Sequence, residues 1–361
     1  MYSPFRHISS ILVKKRPIHL TFFITRKCNA RCPFCFYLRS DADQTGPDQE
    51  LSLDEMRKIS SSFGDLLWLA FSGGEIYLRD DLPEISRIFY KNNKPAIMLF
   101  PTNGLLPGRI REMTEQILKD CPKSTVAVKL SLDGIDEAHD RLRNTPGSFS
   151  KTMETYRLLR ELLDAYPNFE LGVNTVFCSE NQDEMDCIIN FVGSMENIKT
   201  HTISLIRGNL SDKGFQNVDQ QKYRQAIGRL EQNLKKKESA KTYRFQGARI
   251  KAAQDILQRS LISRTNDAQK RLIPCYAGVL NIVLEETGEV FPCEILRRRL
   301  GNVRDHGYDM QKLLRSDRAK AILNSIKDSQ CYCTHECYFM TNILFNPRLY
   351  PALAREYLQI R

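Results

Sequence analysis

No apolar run approaches the ~18 residues that a membrane-crossing helix requires; the longest candidates, such as residues 66–71, have the length of a buried strand. No membrane span is therefore expected. The apolar stretch 11–13, flanked by Arg6, Lys14, Lys15 and Arg16, is too short for a secretory signal, so the expected location is the cytoplasm. There is no low-complexity segment and no repeat beyond an alternation of strands and helices. No basic stripe interleaved with aromatics is found either, so nucleic acid is not an expected partner. Acidic residues are the scarcer charge, 43 against 53 Lys and Arg, for a formal net charge of +10. That excess suits an anionic partner, although the runs Lys235, Lys236, Lys237 and Arg297, Arg298, Arg299 read as solvated faces.

What is present is ordinary in bulk and unusual in one residue type. At 361 residues, 42% hydrophobic and 27% charged, the chain has the size of one large domain with a smaller appendage and the composition of a folded protein. Its eleven cysteines would add little as disulfides in a reducing compartment. Three stand together at Cys28, Cys32 and Cys35, two flank a hairpin pattern at Cys275 and Cys293, and three crowd at Cys331, Cys333 and Cys337. Such clustering points to metal. Cys121, Cys178 and Cys187 stand alone and read as small buried hydrophobes.

Runs of β-branched and aromatic residues predict strands over 19–25, 66–71, 96–100, 126–132, 171–177 and 202–206. Helical spacing fills the intervals. One helix opens on the capping-box sequence Ser52-Leu53-Asp54-Glu55, one ends near Asn92, and others cover about 107–119, 149–165 and 183–195. Six strand-then-helix units with short turns imply parallel strands, two short of a closed eightfold barrel. The expected fold is therefore α/β, a partial and open (β/α)6 TIM-like barrel over 18–215. Ligands of such sheets collect at the carboxyl ends of strands, where the cysteine loop, Gly73-Gly74-Glu75, Asn103 and Asp133 all fall. Residues 216–271 read as a charged helical connector with Tyr223, Ile227, Leu230 and Leu234 on its inner stripe. Strands over 279–284 and 290–293, around the turn Glu285-Glu286-Thr287-Gly288-Glu289, mark a small cysteine-rich domain with a β-hairpin over 272–340. A tail follows over 341–361. Residues 40–49, rich in Asp, Gln, Gly and Pro, read as a mobile loop able to cover the site.

Cys28-x3-Cys32-x2-Cys35 is the sharpest chemical signal. Thiolates suit zinc or iron–sulfur clusters, and three on one short loop can hold a cubane whose fourth iron has no protein ligand. Zinc, which takes four protein ligands in structural sites, is the alternative, and with it a non-catalytic zinc-binding or scaffold protein. The run Cys28-Asn29-Ala30-Arg31-Cys32-Pro33-Phe34-Cys35-Phe36-Tyr37 resembles the signature loop of the radical S-adenosylmethionine (radical SAM) superfamily. Ser72-Gly73-Gly74-Glu75 resembles that family's glycine–glycine–glutamate motif, Thr102-Asn103-Gly104 its third-strand end, and Lys129-Leu130-Ser131-Leu132-Asp133-Gly134 its fourth-strand segment. The resemblance implies a 4Fe-4S cluster on Cys28, Cys32 and Cys35. It also implies S-adenosyl-L-methionine held by Gly73, Gly74, Glu75, Asn103, Ser131 and Asp133, the last two on one strand face toward the barrel interior. Asn174 and Arg207 are further candidates for holding cofactor or substrate.

The C-terminal cysteines resemble the auxiliary-cluster module called SPASM, or its shorter form Twitch. Cys275 and the Gly288-x4-Cys293 pair match its first half, whereas Cys331-x-Cys333-x3-Cys337 departs from the C-x2-C-x5-C-x3-C of the full module. This implies one auxiliary 4Fe-4S cluster, on Cys275, Cys293 and Cys337 with Cys333 or Cys331 as fourth ligand, and His335 as a neighbour rather than a ligand. The resemblance implies reductive cleavage of S-adenosylmethionine to a 5′-deoxyadenosyl radical that abstracts hydrogen from a substrate, with net oxidation or bond formation assisted by the auxiliary cluster. It further implies a one-electron donor such as flavodoxin or ferredoxin. The substrate is a peptide, as in maturases, or a small molecule, and an anionic one suits the charge. No catalytic acid or base is identified.

Overall fold

The computed structural model describes residues 1–38, 49–235, 243, 245–329 and 331–360; the expected mobile loop lies, but for Gln49, outside them. β1 (His19–Thr25) is buried at all seven positions, so it shows an unbroken apolar and β-branched run rather than an alternation, as a strand covered on both faces must. It is followed by β2 (Trp68–Gly73), β3 (Ile97–Thr102), β4 (Thr125–Ser131), β5 (Phe169–Phe177) and β6 (Thr200–Leu205). Each pairs in parallel with the one before it. The partial (β/α)6 barrel is thus present.

Helices alternate with these strands as the periodicity indicates: α1 (Leu53–Ser62), α2 (Leu82–Asn93), α3 (Pro107–Asp120), α4 (Asp136–Leu142), α5 (Ser148–Arg160) and α6 (Met185–Ser194). The capping box at the start of α1 is closed in both directions, Glu55 N–H donating to Ser52 Oγ at 3.3 Å and Ser52 N–H to Glu55 Oε2 at 2.8 Å. α4 has no counterpart in the sequence reading, because seven residues are too few for an apolar period to show. Leu20, Phe22, Val126, Val128 and Leu130 join Met56, Ile59, Ile85, Phe89 and Ile117 in the main core. The alternate strand residues Thr21, Ala70, Leu99, Ala127, Lys129, Ser131, Gly172 and Asn174 line a central cavity instead.

The C-terminal hairpin forms as expected, but its first strand joins the barrel sheet. β7 (Asn281–Leu284) runs parallel to β1, with His19 opposite Asn281 and Phe22 opposite Leu284. β8 (Glu289–Phe291) and β9 (Gly301–Asn302) then add antiparallel, giving nine strands in the order β6-β5-β4-β3-β2-β1-β7-β8-β9. Among the described residues the charged connector holds two helices, α7 (Gln220–Lys235) and α8 (Ala248–Ala268), and the remainder includes α9 (Asp317–Asp328), α10 (Glu336–Leu344) and α11 (Tyr350–Gln359). α8 packs against α10 and α11. Among the described residues no helix is long and apolar enough to cross a membrane.

Candidate active site

The site begins where β1 and β2 end. Gly74 N–H donates to Thr25 O at 2.9 Å and Glu75 N–H to Lys27 O at 2.8 Å, so the Gly-Gly-Glu segment is bonded to the chain entering the cysteine loop. Both glycines are sterically required. Gly73 has φ +131°, and a Cβ on Gly74 would lie 2.1 Å from Lys27 O, a backbone atom that cannot swing aside. Gly74→Ala is expected to cost at least about 1–3 kcal/mol, as overpacking does, read as a lower urea midpoint.

Cys28, Cys32 and Cys35 are half-buried and free of disulfides. Ala30 N–H donates to Cys28 Sγ at 3.5 Å and Leu38 N–H to Cys35 Sγ at 3.3 Å, contacts that favour a thiolate. Burial raises the Cys28 thiol and pushes Cys32 up to about 11, against the pull of the Arg143 guanidinium. Metal loading must therefore release protons. Asn103 ties the loop to the next motif, its Nδ2 donating to Asn29 Oδ1 at 2.8 Å and lying 3.9 Å from Cys28 Sγ. Its backbone N–H donates to Glu75 Oε2 at 2.7 Å, while Thr102 Oγ1 and Tyr77 N–H donate to Glu75 Oε1 at 2.9 and 3.2 Å. Gly73, Gly74, Glu75, Asn103 and the cysteine loop thus form one hydrogen-bonded unit.

Glu75 is 1% exposed, and burial raises its carboxyl to about 7 from 4.5, outweighing its three donors. Because the folded value is the higher one, folding favours the protonated acid. That contribution is complete below about pH 4.5 and is lost as the pH rises to about 7, a change of about 3 kcal/mol. Glu75→Gln in the ligand-free protein is expected to flatten the decline of stability over this window in urea titrations at several pH values. An unchanged profile would contradict it. A carboxylate keeps lone-pair capacity beyond three donors, so a ligand ammonium is a suitable counter-charge.

Ser131 and Asp133 do not share a face. Ser131 lines the cavity, but β4 ends there, so strand alternation no longer governs Asp133. The Asp133 carboxylate is 0% exposed, with Oδ1 accepting from Val176 N–H at 2.7 Å and Oδ2 from Arg143 Nε at 2.8 Å. It clamps β4 to β5 and to Arg143. Burial disfavours the Arg143 charge, but the Cys32 thiol and Asp133 outweigh that and raise its affinity for the proton. Arg143, whose charge acts on both Cys28 and Cys32, is missed by the sequence reading; nothing local distinguishes it from the solvated Arg141. Asn174 lines the cavity and accepts from Ser204 Oγ at 3.1 Å. Arg207, at the exit of β6, pairs with Glu336 at 3.0 Å and reaches His335 Nε2 at 3.4 Å.

A second missed set lies in the hairpin turn. Glu285 and Glu286, 1% and 0% exposed, face the base of the cysteine loop. Arg26 Nε donates to Glu286 Oε1 at 2.7 Å, Tyr37 Oη donates to Glu286 Oε2, and the Arg26 guanidinium stacks on the Tyr37 ring at 5.1 Å. One hairpin carboxylate therefore holds the residues on either side of Cys28 to Cys35.

Cys275, Cys293, Cys331 and Cys333 wall a single pocket of about 120 Å³. Cys337, expected in that set, does not line it. Placed in the first turn of α10, it opens onto the central cavity. His335 caps α10, its Nδ1 accepting from Cys337 N–H at 3.2 Å and its Nε2 lying 2.7 Å from Glu294 Oε2. Both ring nitrogens are used, in keeping with a neighbour's role. Among the described residues no three or more His, Cys, Asp or Glu side chains close around a single-ion position, so neither cysteine group is a preassembled mononuclear site. The donor chemistry, soft sulfurs in groups of three and four beside backbone N–H donors, fits iron–sulfur clusters.

The central cavity, about 720 Å³, runs from Phe36 and Ser72 at the cysteine-loop end past Ser131 and Asn174 to Lys129, and is closed by α8 and α10. The chain is 25% identical over 311 residues to the AdoMet-dependent heme synthase of Methanosarcina barkeri (strain Fusaro), covering 82% of each protein. It is 33% identical over 148 residues to the antilisterial bacteriocin subtilosin biosynthesis protein AlbA of Bacillus subtilis (strain 168), covering 40% of this chain and 31% of AlbA. The structure of anSMEcpe with bound AdoMet shares the fold, with a TM-score of 0.58 at 19% identity over 95% of this chain and 97% of that one. The Radical SAM superfamily signature matches residues 22–192, so the partial barrel that carries the three-cysteine loop is a radical SAM domain.

Proposed function

We propose that this protein is an enzyme that reductively cleaves S-adenosylmethionine at a 4Fe-4S cluster held by Cys28, Cys32 and Cys35, and acts on a substrate seated in the central cavity. The observation that carries the reading is the hydrogen-bonded unit of cysteine loop, Gly-Gly-Glu segment and Asn103, whose chain neighbours Phe36 and Ser72 line the cavity. When bound, the cluster and S-adenosylmethionine supply a 5′-deoxyadenosyl radical able to remove an unactivated hydrogen. The chain's own residues do the rest. Gly73 and Gly74 give close backbone approach, Glu75 offers a buried counter-charge to the methionine ammonium, and Ser131 and Asn174 present polar groups from the cavity wall. Asp133 acts as a positioning residue through Arg143 rather than by contact. Anaerobic reconstitution followed by dithionite and S-adenosylmethionine is expected to yield 5′-deoxyadenosine; a fully loaded protein that yields none contradicts the reading.

The second cluster is assigned to Cys275, Cys293, Cys331 and Cys333. Cys293→Ala is expected to lower reconstituted iron from about eight to about four per chain, whereas Cys337→Ala leaves it unchanged. A loss of iron in the Cys337 variant would restore the set implied by the sequence. Such a cluster is suited to accept an electron in a net oxidation or bond formation. A small-molecule substrate is favoured by the similarity to the heme synthase, which runs through most of both chains. A peptide remains the second reading because of the AlbA match, which is confined to less than a third of AlbA.

A further inference from the structure

The lower wall of the central cavity carries charge that the radical chemistry does not use. Lys129 lies two residues before Ser131 on β4, one layer down the same inward face. Its register partner in β5 is Gly172, where a Cβ would lie 2.5 Å from Lys129 Nζ and 2.1 Å from Thr200 Oγ1. Glycine thus leaves the room that the ammonium fills. α8 brings Lys251, Asp255 and Arg259 to the same wall.

Among the described residues, the charged groups that act most on Lys129 are Glu170, Lys251, Asp255 and Arg259, so that in this group three cations stand beside two carboxylates. The carboxylates are already committed. Asp255 is bound by Lys251 Nζ through one oxygen and by Tyr243 Oη through the other, and Glu170 is itself engaged. Glu231 also senses the Arg259 charge, but makes no ion pair with it among the described residues. Among the described residues Lys129 Nζ bonds only to Thr200. Arg259 Nη1, and beside it His201 Nδ1, are buried with no hydrogen-bond partner among the described residues. A cation desolvated without a counter-ion is costly unless a ligand completes it.

We propose that Lys129 and Arg259 form an oxyanion subsite that takes a carboxylate or phosphate group of the substrate and sets the substrate's depth below Ser131. The proposal rests on the reading of this cavity as the substrate cavity. The planar Arg259 fork matches two oxygens of either group, and Lys129 adds a point charge at its side.

The test uses the full-length, cluster-loaded protein under anaerobic conditions, unreduced, at constant ionic strength. Thermal midpoints are followed against inorganic phosphate and, separately, formate. The wild type is expected to show a saturable rise with at least one anion, and Lys129→Gln and Arg259→Gln each to weaken its apparent affinity about tenfold or more. Tighter binding of phosphate identifies a phosphorylated substrate, and tighter binding of formate a carboxylated one. No saturable rise with either anion, or equal affinity in wild type and both variants, overturns the proposal. Should a glutamine variant not fold, Arg259→Lys keeps the charge and loses the fork. It is expected to bind severalfold more weakly, and unchanged affinity there also overturns the proposal. Iron content and the reduced-state EPR spectrum of the same samples report on the cluster independently, so the two readings fail separately.

Discussion

Alanine at any one of Cys28, Cys32 or Cys35 is expected to remove about four irons per chain, leave the second cluster in place, and bring 5′-deoxyadenosine formation to background. The three sulfurs stand on one loop, and Cys35 N–H donates to Cys32 O at 3.1 Å, so loss of one leaves two ligands for a cluster that needs three. Neighbouring groups offer no substitute. Asn103 Nδ2 is a donor, the Glu75 carboxylate is a hard oxygen ligand where the cluster takes soft sulfur, and Arg143 is a cation. Iron assay with product chromatography checks this for each variant. Retained cleavage in any of them would mean that the thiols serve another purpose.

Arg143→Leu is expected to destabilise the fold by about 3–5 kcal/mol, the usual result of removing one partner from a buried ion pair. The pair is almost fully enclosed, with side-chain exposures of 9% for Arg143 and 0% for Asp133. The variant strands a carboxylate that still accepts from Val176 N–H. Urea unfolding measures the loss. Adding Asp133→Asn should recover part of it, because the amide oxygen can keep the Val176 bond without carrying charge. Equal stability of the single variant and wild type would show that the clamp is dispensable.

The barrel was legible because its signals are local and repeated. β1 is read at its observed bounds, and the capping box of α1 is written in four consecutive residues. The three-cysteine loop and the Gly-Gly-Glu segment stand out in the sequence for the same reason, their spacing being short. What escaped depends on pairing across distance. Nothing near Glu286 says that its carboxylate reaches back to Arg26 and Tyr37, since that contact arises only once β7 aligns with β1. Strand alternation failed at Asp133 because the strand stops two residues earlier. The expected grouping of Cys337 with Cys275 and Cys293 followed a spacing pattern that the sequence keeps only in part, and helix α10 turns that thiol to the other side. Lys129 read as part of a motif, while the space that admits its side chain is set by Gly172 on another strand.

The most direct measurement is pulsed EPR of the dithionite-reduced, anaerobically loaded protein with S-adenosylmethionine labelled with nitrogen-15 at the amino group and oxygen-17 at the carboxylate. If Cys28, Cys32 and Cys35 leave one iron open to this ligand, both labels give hyperfine coupling to the reduced cluster, and the coupling vanishes in the Cys32→Ala protein. A loaded, reduced protein whose spectrum is unchanged by the labelled compound, or a colourless protein whose thiols hold zinc, would contradict the account.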